Sequence, residues 1–168
     1  VSKLLRLAAN KAESPSFSTF LRSRADSFES NNYQKSEIDW LHVEGSMIEL
    51  IIGFYEDYGD RFGIKTTMEA VLGIIAPEEH LKLQEFCGRA NMFDAWLGEY
   101  FNFKPKPVFC PMVALDVVET AGGSLYESIP MACCLPNDEE IRKKIGSKKS
   151  FFVNVMRAKF GIITTEIA

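Results

Sequence analysis

The sequence lacks several features that would assign a function at once. It has only two histidines, His42 and His80, and neither stands in a metal-binding spacing. None of its four cysteines forms a CxxC pair. It contains neither a glycine-rich phosphate loop nor a GxSxG nucleophile motif. These absences argue against a metal site, a nucleotide-binding loop and a serine-hydrolase site within the 168 residues.

The chain is also poor in clustered positive charge and in long apolar runs. Its formal net charge is −4, which argues against a nucleic-acid partner, because phosphate contacts need clustered lysine and arginine. No apolar run approaches membrane-spanning length, and no signal peptide is visible. We interpret the cysteines as reduced, mostly buried thiols of an intracellular protein, cytoplasmic or in an organelle matrix; disulfides or metal ligands are the alternative.

What the sequence does contain is a strong strand pattern in Met47–Ile75. Apolar residues alternate there with other residues on both sides of the acidic, aromatic loop Tyr55–Lys65. The alternating positions are Ile48, Leu50, Ile52 and Phe54 before the loop, and Met68, Ala70, Leu72 and Ile74 after it. The pattern predicts two strands. Two interpretations of the loop stay open: it is the solvated tip of a plain hairpin, or it has a function of its own.

The remaining segments predict helices around further strands. In the helix that begins near Pro15, Phe17, Phe20, Leu21 and Phe28 form the apolar stripe, and Arg24 is expected largely outside it. Ser36 is expected to cap a short turn through Trp40, and Asn137 to cap a later helix. The predicted helices are Ser2–Glu13, Pro15 onward, Glu78 to Phe101 and Lys149–Phe160; the predicted strands are Met112–Glu119 and Ile129–Leu135.

These elements predict an α+β fold, with helices packed on a mixed or antiparallel sheet. At 168 residues the chain fits a single domain. Its expected parts are 1–46 helical, 47–75 strand–loop–strand, 76–104 helix and linker, 105–136 strands, and 137–168 helical.

Two long motifs connect the chain to a known family. The first is IGFYEDYGDRFG followed by MEAV, and the second is CCLPNDEEIRKKIGSKKSFFVNVMRAKF. Together with the earlier FLRSRADSF and EIDWLHVEGSMIELIIG, they resemble dipeptidyl peptidase III, the M49 metallopeptidase family, in the family's order. The resemblance covers nearly the whole chain but only a middle slice of a family member. It implies that Met47–Ile75 and Met112–Leu135 supply barrel-like strands.

The resemblance also implies a substrate site. Glu56 and Tyr58 match the family's Glu-x-Tyr, Glu69 matches a second glutamate, and Asn137 matches the second asparagine of Asn-hydrophobic-Pro-Asn. In the family the glutamates help to hold the free amino group of a peptide, since paired carboxylates offset the desolvation of an ammonium. The alternative is an exposed loop acid at Glu56 and a strand-end charge at Glu69. Cys134 replaces the first asparagine, and a thiol hydrogen-bonds only weakly.

The family's activity requires zinc, held by a helical His-Glu-x-x-Gly-His motif and a later glutamate. Because this sequence contains no such motif, we expect no catalytic residue, metal ligand or cofactor in this chain. Three functions stay open: a non-catalytic remnant that serves as a structural or protein-interaction subunit, a segment of an active zinc dipeptidyl peptidase, or a stand-alone peptide-binding module. We favour the first. The expected partners are another protein or a second copy, and a peptide N-terminus.

Overall fold

The computed structural model describes residues 1–57, 60–104 and 111–167. Within these ranges the chain forms six α-helices, one 3-10 turn and five strands, which confirms the α+β prediction. In chain order they are α1 (Ser2–Ala9), α2 (Pro15–Ser30), α3 (Gln34–Leu41), β1 (Ile48–Glu56), β2 (Thr67–Ile75), α4 (Pro77–Phe101), β3 (Met112–Ala121), the 3-10 turn (Gly123–Tyr126), β4 (Ala132–Leu135), α5 (Glu139–Lys144), β5 (Lys148–Phe152) and α6 (Val153–Ile167).

None of the helices in this part of the chain combines the length and the apolar character that a membrane crossing needs. The contacts group the elements into two compact units. The helical unit contains Val1–Met47 and Asp138–Ser147, and the sheet unit contains the other described residues.

The helical unit is built on α2. Ser14 caps this helix, because its Oγ accepts a hydrogen bond from Phe17 N at 3.2 Å, and Pro15 occupies the first turn. The apolar stripe is confirmed for its first half: Phe17, Phe20 and Leu21 are buried. The prediction for Arg24 is wrong, because this side chain is 0% exposed. Its position, four residues after Phe20, places it on the same stripe.

Two predicted caps in the chain differ from the structure. Ser36 does not cap a turn; it lies inside α3, and its Oγ donates to Tyr33 O at 2.9 Å. Asn137 does not cap α5 either. Asp138 takes that position, since its Oδ1 accepts from Glu140 N at 2.8 Å and from Ile141 N at 3.0 Å. The aspartate one residue later satisfies the free N–H groups at the start of this helix, so the predicted cap is displaced by one residue.

The sheet unit contains a mixed sheet with strand order β1-β2-β3-β5-β4. β3 and β5 are parallel, and the other neighbouring pairs are antiparallel. The hairpin of β1 and β2 is confirmed, with Ile48 opposite Ile74. Its buried face carries Glu49, Ile51 and Gly53, whereas Ile48 and Phe54 are exposed.

The predicted helix at Lys149–Phe160 is wrong in its first part. Lys148–Phe152 form β5, which pairs with both β3 and β4, and α6 begins only at Val153 and continues beyond the predicted end to Ile167. Lys148, Ser150 and Phe152 alternate onto the buried face. Pairing with strands far away in sequence therefore overrides the local helical spacing.

A buried ion pair shows that the sheet is strongly curled. β1 and β5 are not neighbours in the sheet, yet Lys148 Nζ lies 3.4 Å from each carboxylate oxygen of Glu49. Both side chains are almost completely buried. Burial lowers the pKa of Lys148 below its ordinary value, and the Glu49 carboxylate opposes this shift.

Candidate functional site

A cavity of about 410 Å³ opens in the sheet unit, next to β1, β2 and β4. Its wall is partly apolar and includes two residues with carboxylates and three residues with hydroxyl groups. The lining residues are Ile51, Tyr55, Glu56, Glu69, Ala70, Val71, Ser124, Leu125, Ser128, Pro130, Ala132, Cys133, Cys134, Leu135 and Phe152. An apolar cavity with a few convergent polar groups is typical of a small-ligand site.

Glu69 is the more buried of the two carboxylates, with 7% of its surface exposed. It lies on β2 opposite Gly53 of β1. Its Oε1 atom accepts two hydrogen bonds from one residue, Ser124, at 2.9 Å from the backbone N and 3.0 Å from Oγ. Within the described residues, no hydrogen bond goes to Oε2. One oxygen of this cavity-lining carboxylate is therefore fixed by Ser124, whereas the other keeps its acceptor positions.

The turn that holds Glu69 depends on two glycines after β3. Gly122 and Gly123 have φ values of +84° and +51°, a region that favours glycine. A Cβ atom on Gly123 would lie 2.1 Å from Glu69 Oε1, and one on Gly122 would lie 2.1 Å from Met68 O. Only residues without a side chain let the turn approach β2 this closely.

Glu56 reaches the same cavity from the end of β1. It pairs with Thr67 after an irregularity in the strand between Phe54 and Glu56. The side chain is half-buried. The structure therefore brings the two predicted carboxylates, Glu56 and Glu69, to one cavity wall. Their predicted role in substrate binding stays a prediction.

The other two predicted site residues are placed differently. Asn137 is exposed and is not among the described residues that line the cavity. Its Nδ2 donates to Tyr55 O at 2.9 Å, so it contacts the residue directly before Glu56. Tyr58 lies outside the described residues.

Two cysteines on β4 also line the cavity. Burial raises the pKa of the Cys133 thiol to about 12, so this group stays protonated and unreactive at neutral pH. Cys134, at the position where the resembled family has its first asparagine, is exposed. Cys87 and Cys133 are half-buried and Cys134 is exposed, so these three cysteines, which form no disulfide among the described residues, are not mostly buried as predicted; Cys110 lies outside the described residues.

The described residues do not offer a zinc site. No group of three or more histidine, cysteine, aspartate or glutamate side chains among them is arranged to hold a metal ion. Two carboxylates beside hydroxyl groups suit a hydrogen-bonding cation such as an ammonium group.

Sequence reasoning missed Ser124, which makes both hydrogen bonds to Glu69. The available signal is the run Ala121-Gly122-Gly123-Ser124, which comes shortly after the predicted strand Met112–Glu119. Two adjacent glycines favour a turn, but nothing local indicates that the turn returns to a residue 55 positions earlier in the chain.

Comparison with known proteins places this geometry in a family. The sequence matches the model of peptidase family M49 over residues 1–166. It is 32% identical over 168 residues to the Arabidopsis thaliana protein named Nudix hydrolase 3 and 27% identical over 165 residues to dipeptidyl peptidase 3 of Dictyostelium discoideum. These alignments cover 99% and 92% of this chain, but 22% of each relative.

Solved structures agree with the sequence matches. The structure of DPP III from Caldithrix abyssi superposes with a TM-score of 0.85 at 33% identity, covering 95% of this chain and 31% of that one. Dipeptidyl-peptidase III from Corallococcus sp. strain EGB gives 0.81 at 31% identity, with 95% and 30% coverage. The chain thus spans less than a third of the length of these relatives. It belongs to peptidase family M49.

Proposed function

We propose that the sheet unit binds the free amino group of a peptide, with Glu56 and Glu69 accepting hydrogen bonds from the ammonium. The observation that carries the proposal is the presence of both carboxylates on one cavity wall. A primary ammonium has three donors, and two carboxylates can accept them from different directions. Family membership adds to this, because related proteins are named dipeptidyl peptidase.

The binding mode follows from the shape and charge of the cavity. The apolar side chains Val71, Leu125 and Phe152 offer contacts to the first side chain of a peptide, while the carboxylates take its amino group. Because the cavity is open to water and Glu56 is only half-buried, we expect weak, salt-sensitive affinity.

Hydrolysis is a separate question from binding. The 168 residues contain no His-Glu-x-x-Gly-His motif, so we propose that this chain alone is not catalytic. It then acts either as a non-catalytic subunit or as the amine-binding segment of a zinc dipeptidyl peptidase. We expect no stoichiometric zinc by elemental analysis after dialysis and no turnover of dipeptidyl-naphthylamides. Zinc retention together with chelator-sensitive turnover would contradict this.

The direct test compares a short peptide that has a free N-terminus with its acetylated twin, by isothermal titration calorimetry on the 168-residue chain. We expect the free peptide to bind about tenfold more tightly, the size typical of charge-assisted hydrogen bonds. Glu69→Gln and Glu56→Gln should each reduce that ratio. Glu127→Gln is the matched control, since Glu127 carries the same charge but is not among the described cavity-lining residues. Equal binding of both peptides by the wild type would refute the proposal.

A second candidate function, protein interaction, is favoured by α4. Large apolar side chains along this helix are exposed, among them Trp96 at 60%. The rings of Phe86 and Phe93 stack with centroids 6.1 Å apart, and those of Trp96 and Tyr100 at 5.9 Å. Exposed apolar groups of this size favour contact with a protein partner or a second copy. Sedimentation as a dispersed monomer that binds no hydrophobic dye would count against this function.

A further inference from the structure

We infer that Ser124 is a positioning residue that makes the cavity selective for a free amino group, because it fixes one oxygen of Glu69 and leaves the other for the ligand. The inference rests on the proposed function and deepens it. It assigns the selectivity to a pair of hydrogen bonds rather than to the presence of two negative charges alone.

The hydrogen bonds between Ser124 and Glu69 all go to one oxygen of the carboxylate. Ser124 donates twice, from its backbone N and from Oγ, and both donors go to Oε1 of Glu69. Two donors on one oxygen restrain rotation of the carboxylate about its last side-chain bond. The second oxygen, Oε2, keeps its acceptor positions for another donor. A carboxylate that is already oriented loses less conformational entropy when an ammonium binds.

The turn that contains Ser124 also packs closely against the Glu69 side chain. Gly122 and Gly123 adopt positive φ values, and a Cβ on Gly123 would meet not only Glu69 Oε1 but also Cγ at 2.5 Å and Cδ at 2.7 Å. The turn therefore contacts the whole end of the Glu69 side chain. Glu69 and Ser124 both line the cavity.

A purely structural explanation exists for the same contacts. Ser124 lies in the 3-10 turn Gly123–Tyr126, whose first N–H groups need acceptors, and Glu69 supplies one. On that explanation, loss of the Ser124 hydroxyl would destabilise the fold and weaken all ligands equally. If Ser124 instead positions the carboxylate, loss of its hydroxyl lowers the preference of the cavity for a peptide with a free amino group over an acetylated peptide.

The experiment uses the ratio of affinities for the free and the acetylated peptide, measured by calorimetry on the full 168-residue chain. Ser124→Ala keeps the backbone hydrogen bond and removes the hydroxyl, so we expect the ratio to fall about threefold. Ser124→Thr retains a hydroxyl and should restore the ratio. Gly123→Ala places a Cβ against the carboxylate and should lower the ratio more than Ser124→Ala does, with Ser124→Ala deciding if that variant does not fold.

The matched control is Ser27→Ala. Ser27 is a buried serine of the helical unit whose Oγ donates to Ser23 O at 2.9 Å, so its loss removes a buried hydroxyl without touching the cavity. Its ratio should equal that of the wild type. If Glu69→Gln removes the selectivity while Ser124→Ala leaves it intact, the inference is wrong and the proposed function stands. If the wild type shows no selectivity, both are wrong.

Discussion

A buried ion pair lies in the helical unit and another in the sheet unit, and the two pairs differ in chemistry and in sequence range. Arg24 Nη2 lies 2.8 Å from Glu37 Oε1 in the helical unit. Lys148 Nζ lies 3.4 Å from both oxygens of Glu49 in the sheet unit. The first pair joins neighbouring helices, α2 and α3, whereas the second joins strands 99 residues apart.

The surroundings of the two cations differ as well. The Arg24 guanidinium lies 5.4 Å from the ring centroid of Phe20 and 5.6 Å from that of Tyr33. A weakly hydrated guanidinium suits such an aromatic site. Lys148 has a point charge whose burial lowers its pKa. An arginine cannot release its proton in a protein, but a buried lysine can.

This difference indicates how each unit would respond if the glutamate of its buried ion pair, Glu37 or Glu49, were replaced by an uncharged residue. The helical unit would be left with a permanent buried charge. The sheet unit would be left with a charge that disappears when the pH is raised.

The largest effect is expected for Glu37→Gln. Removing one partner of a buried pair typically costs about 3–5 kcal/mol, because the other charge stays buried without compensation. We expect a loss of that size in the free energy of unfolding, measured by urea titration at pH 7. The loss should stay constant up to pH 9, since Arg24 keeps its charge and burial raises the pKa of the neighbouring Tyr33.

The control for this variant is Asp39→Asn in the same helix. Asp39 Oδ2 lies 2.5 Å from Lys35 Nζ, but 73% of the lysine side chain is exposed. An exposed pair of this kind contributes less than about 0.5 kcal/mol. A loss for Glu37→Gln no larger than that for Asp39→Asn would show that Arg24 is not a buried uncompensated charge in the variant.

A smaller, pH-dependent effect is expected for Glu49→Gln. The folded pKa of Lys148 is already lowered from its ordinary 10.5, and loss of Glu49 removes an influence that raises it. The unfolded chain then binds more protons than the folded one over a wider pH range, so the variant gains stability as pH rises toward 10.5. We expect a loss near the lower end of the range of about 3–5 kcal/mol at pH 7, and this loss should shrink by pH 9.

The measurement is the difference in unfolding free energy between wild type and Glu49→Gln at several pH values. Lys148→Met in the Glu49→Gln background removes the charge that titrates and serves as the control. Its stability should not rise with pH as that of the single variant does. A pH-independent loss for Glu49→Gln would mean that Lys148 keeps its proton and that the two ion pairs respond alike.

The same residues show how far the sequence could predict the structure. The β1–β2 hairpin and α4 follow local patterns, and both were predicted closely. Arg24 was placed outside its helix stripe because of its charge, although its spacing from Phe20 fits the stripe. β5 was predicted as a helix, because its pairing with β3 and β4 is not encoded locally.

The residues of the candidate site also differ in whether the sequence could predict them. Glu56 and Glu69 were identified by resemblance to a family, and they line one cavity. Ser124 could not be identified, because its contact with Glu69 depends on how β3 returns along β2. Asn137 was identified, but its contact with Tyr55 O depends on where the segment after β4 lies in the fold.

The smallest effect is expected at His80 of the sheet unit. The imidazole ring of His80 must be neutral to accept its hydrogen bond from β3. His80 Nδ1 accepts a hydrogen bond from Ala114 N at 3.4 Å, which joins α4 to β3. Burial lowers the pKa of His80 from its ordinary 6.5. A group with a lowered folded pKa contributes stability that is present above 6.5 and is lost as the pH falls through the folded pKa.

His80→Asn tests this, since the Asn carbonyl oxygen can accept the same hydrogen bond without titrating. Relative to this variant, the wild type should lose up to about 1 kcal/mol of unfolding free energy between pH 7 and pH 5, the usual size of one hydrogen bond. Taking the difference between the two proteins removes the contributions that both share. A constant difference across this range would mean that protonation of His80 does not disturb the contact with Ala114. The contribution of His80 to the stability of the sheet unit would then be independent of pH in this range.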